Sequence, residues 1–298
     1  MYLTVYVLLL APALLAAAGP RPARRLAPAP AARVLAAATM IAAVATVWGL
    51  VVLAAGGLGR VDEVVAYTRA DPARLAAADP VPRALGALAA ALLACGLARL
   101  THSVWRRRRD VRALGALRSL PAAGNLVVLA DDLPDAYALP GTPGRIVVTS
   151  GMLRSLPADE RPVLLAHERA HLAHRHHRYS APAEFACALN PLLRPLGDRL
   201  AFALERWADE DAAQAVADRS LAARSLARAA LAGGGHAPRT TLAYLRHQVT
   251  ARVHALQSAA PGSRWTAALP TALLIAATTL ALADTTTALG RFLEILHP

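Results

Sequence analysis

The sequence predicts a mainly α-helical membrane protein, with four transmembrane helices and a cytoplasmic α+β domain between the third and the fourth. Three observations carry that expectation. The chain is 56% apolar with a mean hydropathy of +0.38, yet aromatics make up only 4%. Its apolarity therefore comes from Ala, Leu and Val, in a proportion too high for an ordinary soluble domain. Four segments are close to the roughly 20 apolar residues that cross a bilayer as a helix. The formal charge of +12 comes entirely from Arg, since the chain has no Lys, and the arginines gather at the ends of those segments.

The first segment, residues 2–19, is uncharged. No positive charge precedes it, and Arg21, Arg24 and Arg25 follow it, so it reads as an uncleaved span rather than a signal peptide. The Pro/Ala run 27–32 reads as a linker, and residues 34–58 form the second span. The third, 84–105, is interrupted near one end by Arg99, which is expected to snorkel to the interface beside Trp105. The fourth, 265–283, lies between Arg264 and Asp284. Arg106, Arg107, Arg108 and Arg109 follow the third span directly and mark the cytoplasmic side. Both termini are then outside. The domains become 1–105 (three spans), 106–264 (cytoplasmic domain) and 265–298 (fourth span and short tail). The basic balance suits an anionic bilayer surface. Nucleic acid binding is not expected, because no RNP-like, zinc-finger or P-loop pattern is present. Cys95 and Cys187 lie apart in apolar stretches and read as inert thiols.

Within the cytoplasmic segment, 125–130 (NLVVLA) and 145–150 (RIVVTS) are β-branched runs bounded by turn residues, and read as strands. Residues 135–144 between them read as turns. A helix is expected over 158–177, capped by Asp159 with Pro162 in its first turn. A second is expected over 198–232. Residues 180–193 are too short to span, and read as core or membrane-surface packing. Residues 233–235 read as a loop.

The first of these helices carries His167-Glu168-Arg169-Ala170-His171, an HExxH. Residues four apart share a helix face, so two imidazoles can bind one Zn²⁺ while Glu168 stands beside it within reach of a water. Glu205-Arg206-Trp207-Ala208-Asp209 on the next helix offers Glu205 as third ligand. Asp209, one turn on, can accept the outer ring N–H of a ligating His. Each pair has a bland reading as a charged surface helix; together they point to a zinc site. A rival third ligand is His177, spaced as in HExxHxxGxxH. Position 174 is His rather than Gly, however, and a helix continued to His177 would place it about 15 Å along the axis from His167. His174, His176 and His177 otherwise read as a cationic helix end.

The stretches GRIVVTSGML, LLAHERAHLAHRHH and ERWADEDAA resemble the cytoplasmic protease domain of the BlaR/MecR-type membrane zinc metallopeptidases. More distantly they are similar to HtpX and the CaaX prenyl endopeptidases. The resemblance implies a zincin-like fold and a zinc metalloendopeptidase with His167, His171 and Glu205 as ligands and Glu168 as base. It also implies a protein substrate such as a transcriptional repressor; a general quality-control protease and a non-catalytic scaffold are the alternatives. The distant relatives' His and Arg beyond the third ligand loosely match His247 and Arg252, candidates for stabilising the transition state. The extracellular penicillin-binding domain of the sensors has no counterpart after the fourth span. Its SxxK nucleophile motif cannot occur in a chain without Lys. The strand at 145–150 is the candidate edge for an extended substrate.

Overall fold

The computed structural model describes residues 2–19, 25–58, 82–233, 239–259, 262 and 264–296, with backbone only at 2–3, 58, 239–247 and 291–296. The chain runs through α1 (Tyr2–Ala18), α2 (Pro28–Leu58), α3 (Arg83–Ala113), β1 (Leu126–Leu129), β2 (Ala136–Leu139) and β3 (Arg145–Thr149). It continues with α4 (Ser150–Ser155), α5 (Arg161–Ala173), α6 (His177–Leu189), α7 (Arg194–Val216), α8 (Arg219–Gly233), α9 (Arg239–Gln257) and α10 (Leu269–Leu296).

Among the described residues, α2, α3 and α10 have the length and apolarity of membrane spans. At 17 residues α1 is shorter, and it packs against α2 and α10. The four expected spans are therefore three of full length and one short apolar helix. Several of their hydroxyls are satisfied within the helices, as an apolar surround favours. The hydroxyls of Thr39, Thr46, Thr278 and Thr285 each donate to the carbonyl four residues back. The helix limits differ from the expected ones. The presumed linker at 27–32 supplies the first turn of α2, since proline costs little where the N–H has no helical partner. The helix of the third span continues through the arginine cluster to Ala113, and α10 runs past Asp284, whose carboxylate accepts from the Thr4 hydroxyl at 2.9 Å. Helices α2 and α3 cross at Gly57 and Gly86. A Cβ on Gly86 would stand 2.6 Å from the Gly57 Cα, so only glycine permits this approach.

The domain that follows α3 opens with a three-stranded sheet ordered β1-β3-β2, β1 parallel and β2 antiparallel to β3. Both expected strands are present. The third, β2, lies in the stretch read as turns, because Ala136–Leu139 lacks the β-branched signature and is held by pairing alone. Its presence corrects the edge assignment: β3 is central and almost wholly buried, while β2 forms the edge. Behind the sheet, Ile146, Val148, Met152 and Leu164 pack α4 and α5 onto it.

The two expected helices prove to be three, and a further helix, α6, fills most of the 180–193 stretch. The first ends at Ala173 because Arg175 adopts a positive φ of 52°, a turn that costs a non-glycine residue about 1–2 kcal/mol. The second breaks at Ala217, φ 53°, into α7 and α8. The N-terminus of α5 also differs. Glu160 holds the capping position, without a side-chain cap, and Pro162 is the second helical residue. Glu160 is instead buried against α8, accepting from Arg228 at 3.0 Å while its carbonyl accepts from Ser225. The largest core cluster joins Leu15 of α1 and Leu35 of α2 to Leu196, Leu200, Leu204 and Trp207 of α7.

Candidate metal centre

Helix α5 lies between the sheet and α7. Val163 packs against Ala212 of α7 and Ala222 of α8, and Leu164 against the sheet. This two-sided burial fixes the rotation of α5, so the face bearing His167, Glu168 and His171 turns towards α7. The matching face of α7 presents Glu205 and Asp209, four residues apart.

These groups converge. The Nε2 atoms of His167 and His171 are 3.1 Å apart, and each is 3.5 Å from a different oxygen of Glu205. Four ligands held tetrahedrally at zinc's bond lengths of about 2.0–2.1 Å stand about 3.3 Å from one another. Two imidazoles and a carboxylate at these separations fit a zinc ion in both spacing and donor chemistry. Among the described residues no other group of His, Cys, Asp and Glu converges in this way, and His177 is not part of it.

The outer ring nitrogens are also engaged. His167 Nδ1 donates to Asp209 Oδ1 at 3.1 Å, which leaves Nε2 as the lone-pair nitrogen facing the centre. His171 Nδ1 lies 2.9 Å from Nδ1 of His176. The charged helix end expected at 174–177 is therefore a second correction. The turn at Arg175 folds His176 back into the protein, where it is 3% exposed, and His174 stacks on Trp207 and bonds Asp211 at 2.5 Å. The rejection of His177 stands on different ground from the expected one: the helix does not continue, and the residue that turns back is its neighbour.

Arg252 of α9 completes the cluster. Its Nε and Nη2 each donate to Asp209 at 2.7 Å, and Nη1 forms an ion pair with Glu205 at 3.0 Å. The sequence suggested Arg252 for transition-state stabilisation. In the fold it is buried and holds the two carboxylates from behind, bonded to Asp209 and paired with Glu205. His247 lies on the same helix, but its side chain is outside the described residues.

Among the protein groups alone, charge is strongly redistributed. Burial opposes protonation of His167, but its hydrogen bonds to Asp209 and Glu205 outweigh this and hold its pKa at about 10. Burial, with the charges of His167 and Arg252, lowers His171 to about 4, and burial lowers His176 to about 3. Glu205 and Asp209 are held well below the ordinary carboxylate range: burial would raise them, but His167 and Arg252 prevail. Glu168 goes the other way. Burial, aided by the nearby Glu205 charge, raises it against the pull of His167. A carboxyl shifted upward beside two depressed carboxylates is the one suited to accepting a proton. Ala138 of β2 lines the polar side of the site next to Glu168.

Two cavities meet at this cluster, both lined by His167, Glu168 and Glu205. One, of about 580 Å³, is walled by Met152, Val163, Leu164, Leu226 and Leu256. The other, of about 410 Å³, is more polar, with Tyr137, His171, His176, His177 and Ser180. Strand β2 borders both. The arrangement can hold one divalent cation, place a base beside it and seat a chain segment on either side. A family model described as peptidase family M48 matches residues 105–265. No curated protein and no solved structure gives a match.

Proposed function

Because this chain belongs to peptidase family M48, a family of zinc metallopeptidases, we propose that it is a membrane-embedded zinc metalloendopeptidase in which His167, His171 and Glu205 hold the metal and Glu168 is the base. The observation that carries this reading is the tetrahedral spacing of two Nε2 atoms and one carboxylate, with a buried carboxyl beside them that is not part of the ligand group. A zinc ion held there supplies Lewis acidity to a water and to a peptide carbonyl. The chain's own residues do the rest. Asp209 and His176 orient the two imidazoles, and Arg252 fixes Asp209 and Glu205. Glu168 takes the proton of the attacking water and returns it to the leaving amine. An extended substrate lies along the edge strand β2, with its flanking residues in the two cavities.

The reading extends to four spans, with both termini outside and the catalytic segment cytoplasmic. The arginine cluster at the end of α3 supports it, as does the packing of α1 against α2 and α10. By the resemblance to the BlaR/MecR type, the substrate is a regulatory protein such as a transcriptional repressor. The test is direct. Protein purified in lipid nanodiscs is expected to contain zinc and to cleave an unstructured polypeptide. A chelator should stop cleavage and added zinc restore it; chelator-resistant cleavage, or zinc-loaded protein with none, would refute the reading. Reporter fusions at residues 120 and 70 are expected to report opposite sides, cytoplasmic and external. Signals from the same side would remove the four-span arrangement.

A further inference from the structure

Arg99 is anomalous in an apolar span, and its contacts do not match the expected snorkelling. Its Nε donates to the carbonyl of Ala188 at 3.1 Å and its Nη2 to that of Leu189 at 3.2 Å. Those carbonyls end α6, where the helix leaves them without intrahelical partners. The next residue, Asn190, is buried. Its Nδ2 donates to the Thr46 hydroxyl of α2 at 2.9 Å, and its Oδ1 accepts the Leu192 N–H at 3.0 Å, capping the 3-10 turn Pro191–Leu193. Gly96 of α3 lies so close that a Cβ there would stand 2.9 Å from the Leu189 oxygen.

Two independent rulers give the depth of this turn. The Gly57–Gly86 contact marks the same end of both spans. Along α3, Gly96 is about 15 Å from Gly86; along α2, Thr46 is about 16 Å from Gly57, at 1.5 Å per residue. Both distances are half of a hydrocarbon core about 30 Å thick. The returning helix then covers about 16 Å between Arg194 and Glu205, enough to bring Glu205 to the opposite face of the core. Midway along α6, Glu184 pairs with Arg107 at 2.8 Å, a member of the arginine cluster that marks that face.

We infer that α6, the Pro191–Leu193 turn and α7 form a re-entrant hairpin that enters the bilayer to mid-depth and carries Glu205 on its return arm. The inference rests on the membrane reading proposed above. Irregular backbone persists at such depth only when protein satisfies its polar groups, and Arg99, Asn190 and Thr46 do so at the tip. Leu192 projects outward, 63% exposed, as a residue facing lipid would. The exposed charges Arg194 and Asp198 lie one turn apart on the return arm and are opposite in sign, which limits the cost of their position. The metal centre is thereby held to the spans by a rigid strut, with its groove opening at the bilayer surface.

A fluorophore at Leu192→Cys tests this, in a Cys95→Ala, Cys187→Ala background shown to keep its zinc and reconstituted in vesicles. The same label at Val44→Cys, exposed on α2, serves as the control. Both labels are expected to be quenched more strongly by lipids carrying a mid-chain nitroxide than by those with a headgroup nitroxide or by aqueous iodide. Mid-chain quenching at 44 with headgroup or iodide quenching at 192 would overturn the hairpin and leave the membrane reading intact. Iodide quenching at both positions would overturn both.

Discussion

Glu168→Gln is expected to keep its zinc and to lose peptidase activity by about 10²–10⁴-fold, the usual contribution of a general base. Glu168 is 7% exposed and lies beside the ligand group without belonging to it. The amide has the same shape, so the packing of α5 against the sheet is unaffected. It cannot take a proton. Burial raises the Glu168 carboxyl, which makes the native residue a stronger base than an exposed glutamate and enlarges the loss. Metal analysis and peptide cleavage on the same preparation give both readouts. A variant that loses zinc, or one that cleaves at the native rate, would contradict the role.

The second large effect is expected at the third ligand. Glu205→Ala should lower zinc affinity by more than about 100-fold, since removing only an outer partner of a ligand already costs 10–100-fold. His177→Ala should leave affinity within about twofold, because its ring stands outside the convergent group and touches no ligand whose outer nitrogen it could orient. The fold should survive the first substitution, because Arg252 keeps both of its hydrogen bonds to Asp209 when Glu205 is gone. Zinc titration of the two purified variants, with a folding check by circular dichroism, decides between them. The reverse result would move the third ligand to the histidine run.

Much of the candidate site was legible because it is written in helical spacing. An HExxH and an ExxAD each place two side chains on one helix face whatever the surroundings, so the ligand candidates and Asp209 could be named before any fold was known. The spans were legible for a similar reason: about 20 apolar residues without charge have few other stable destinations. Their limits were less so. Pro28 and Pro30 look like breakers but serve as a helix start, and the arginines after residue 105 continue a helix that the bilayer does not bound.

What escaped the sequence depends on contacts between distant residues. Strand β2 has no strand-like composition and exists because β3 offers it a partner. The reading of 145–150 as an edge failed because the missing strand lies outside it. His176 became a partner of His171 through a positive φ at Arg175, a conformation that sequence disfavours and tertiary packing imposes. Arg252 reaches Asp209 from 43 positions away, and its role changed when its donors proved to be engaged by carboxylates. By itself the sequence determined which residues could bind a metal and which segments could cross a membrane, because both depend on local periodicity and composition. The tertiary structure alone decided what holds those residues in place and how the turn between α6 and α7 packs against α2 and α3, because burial and hydrogen bonding between remote segments have no local signature.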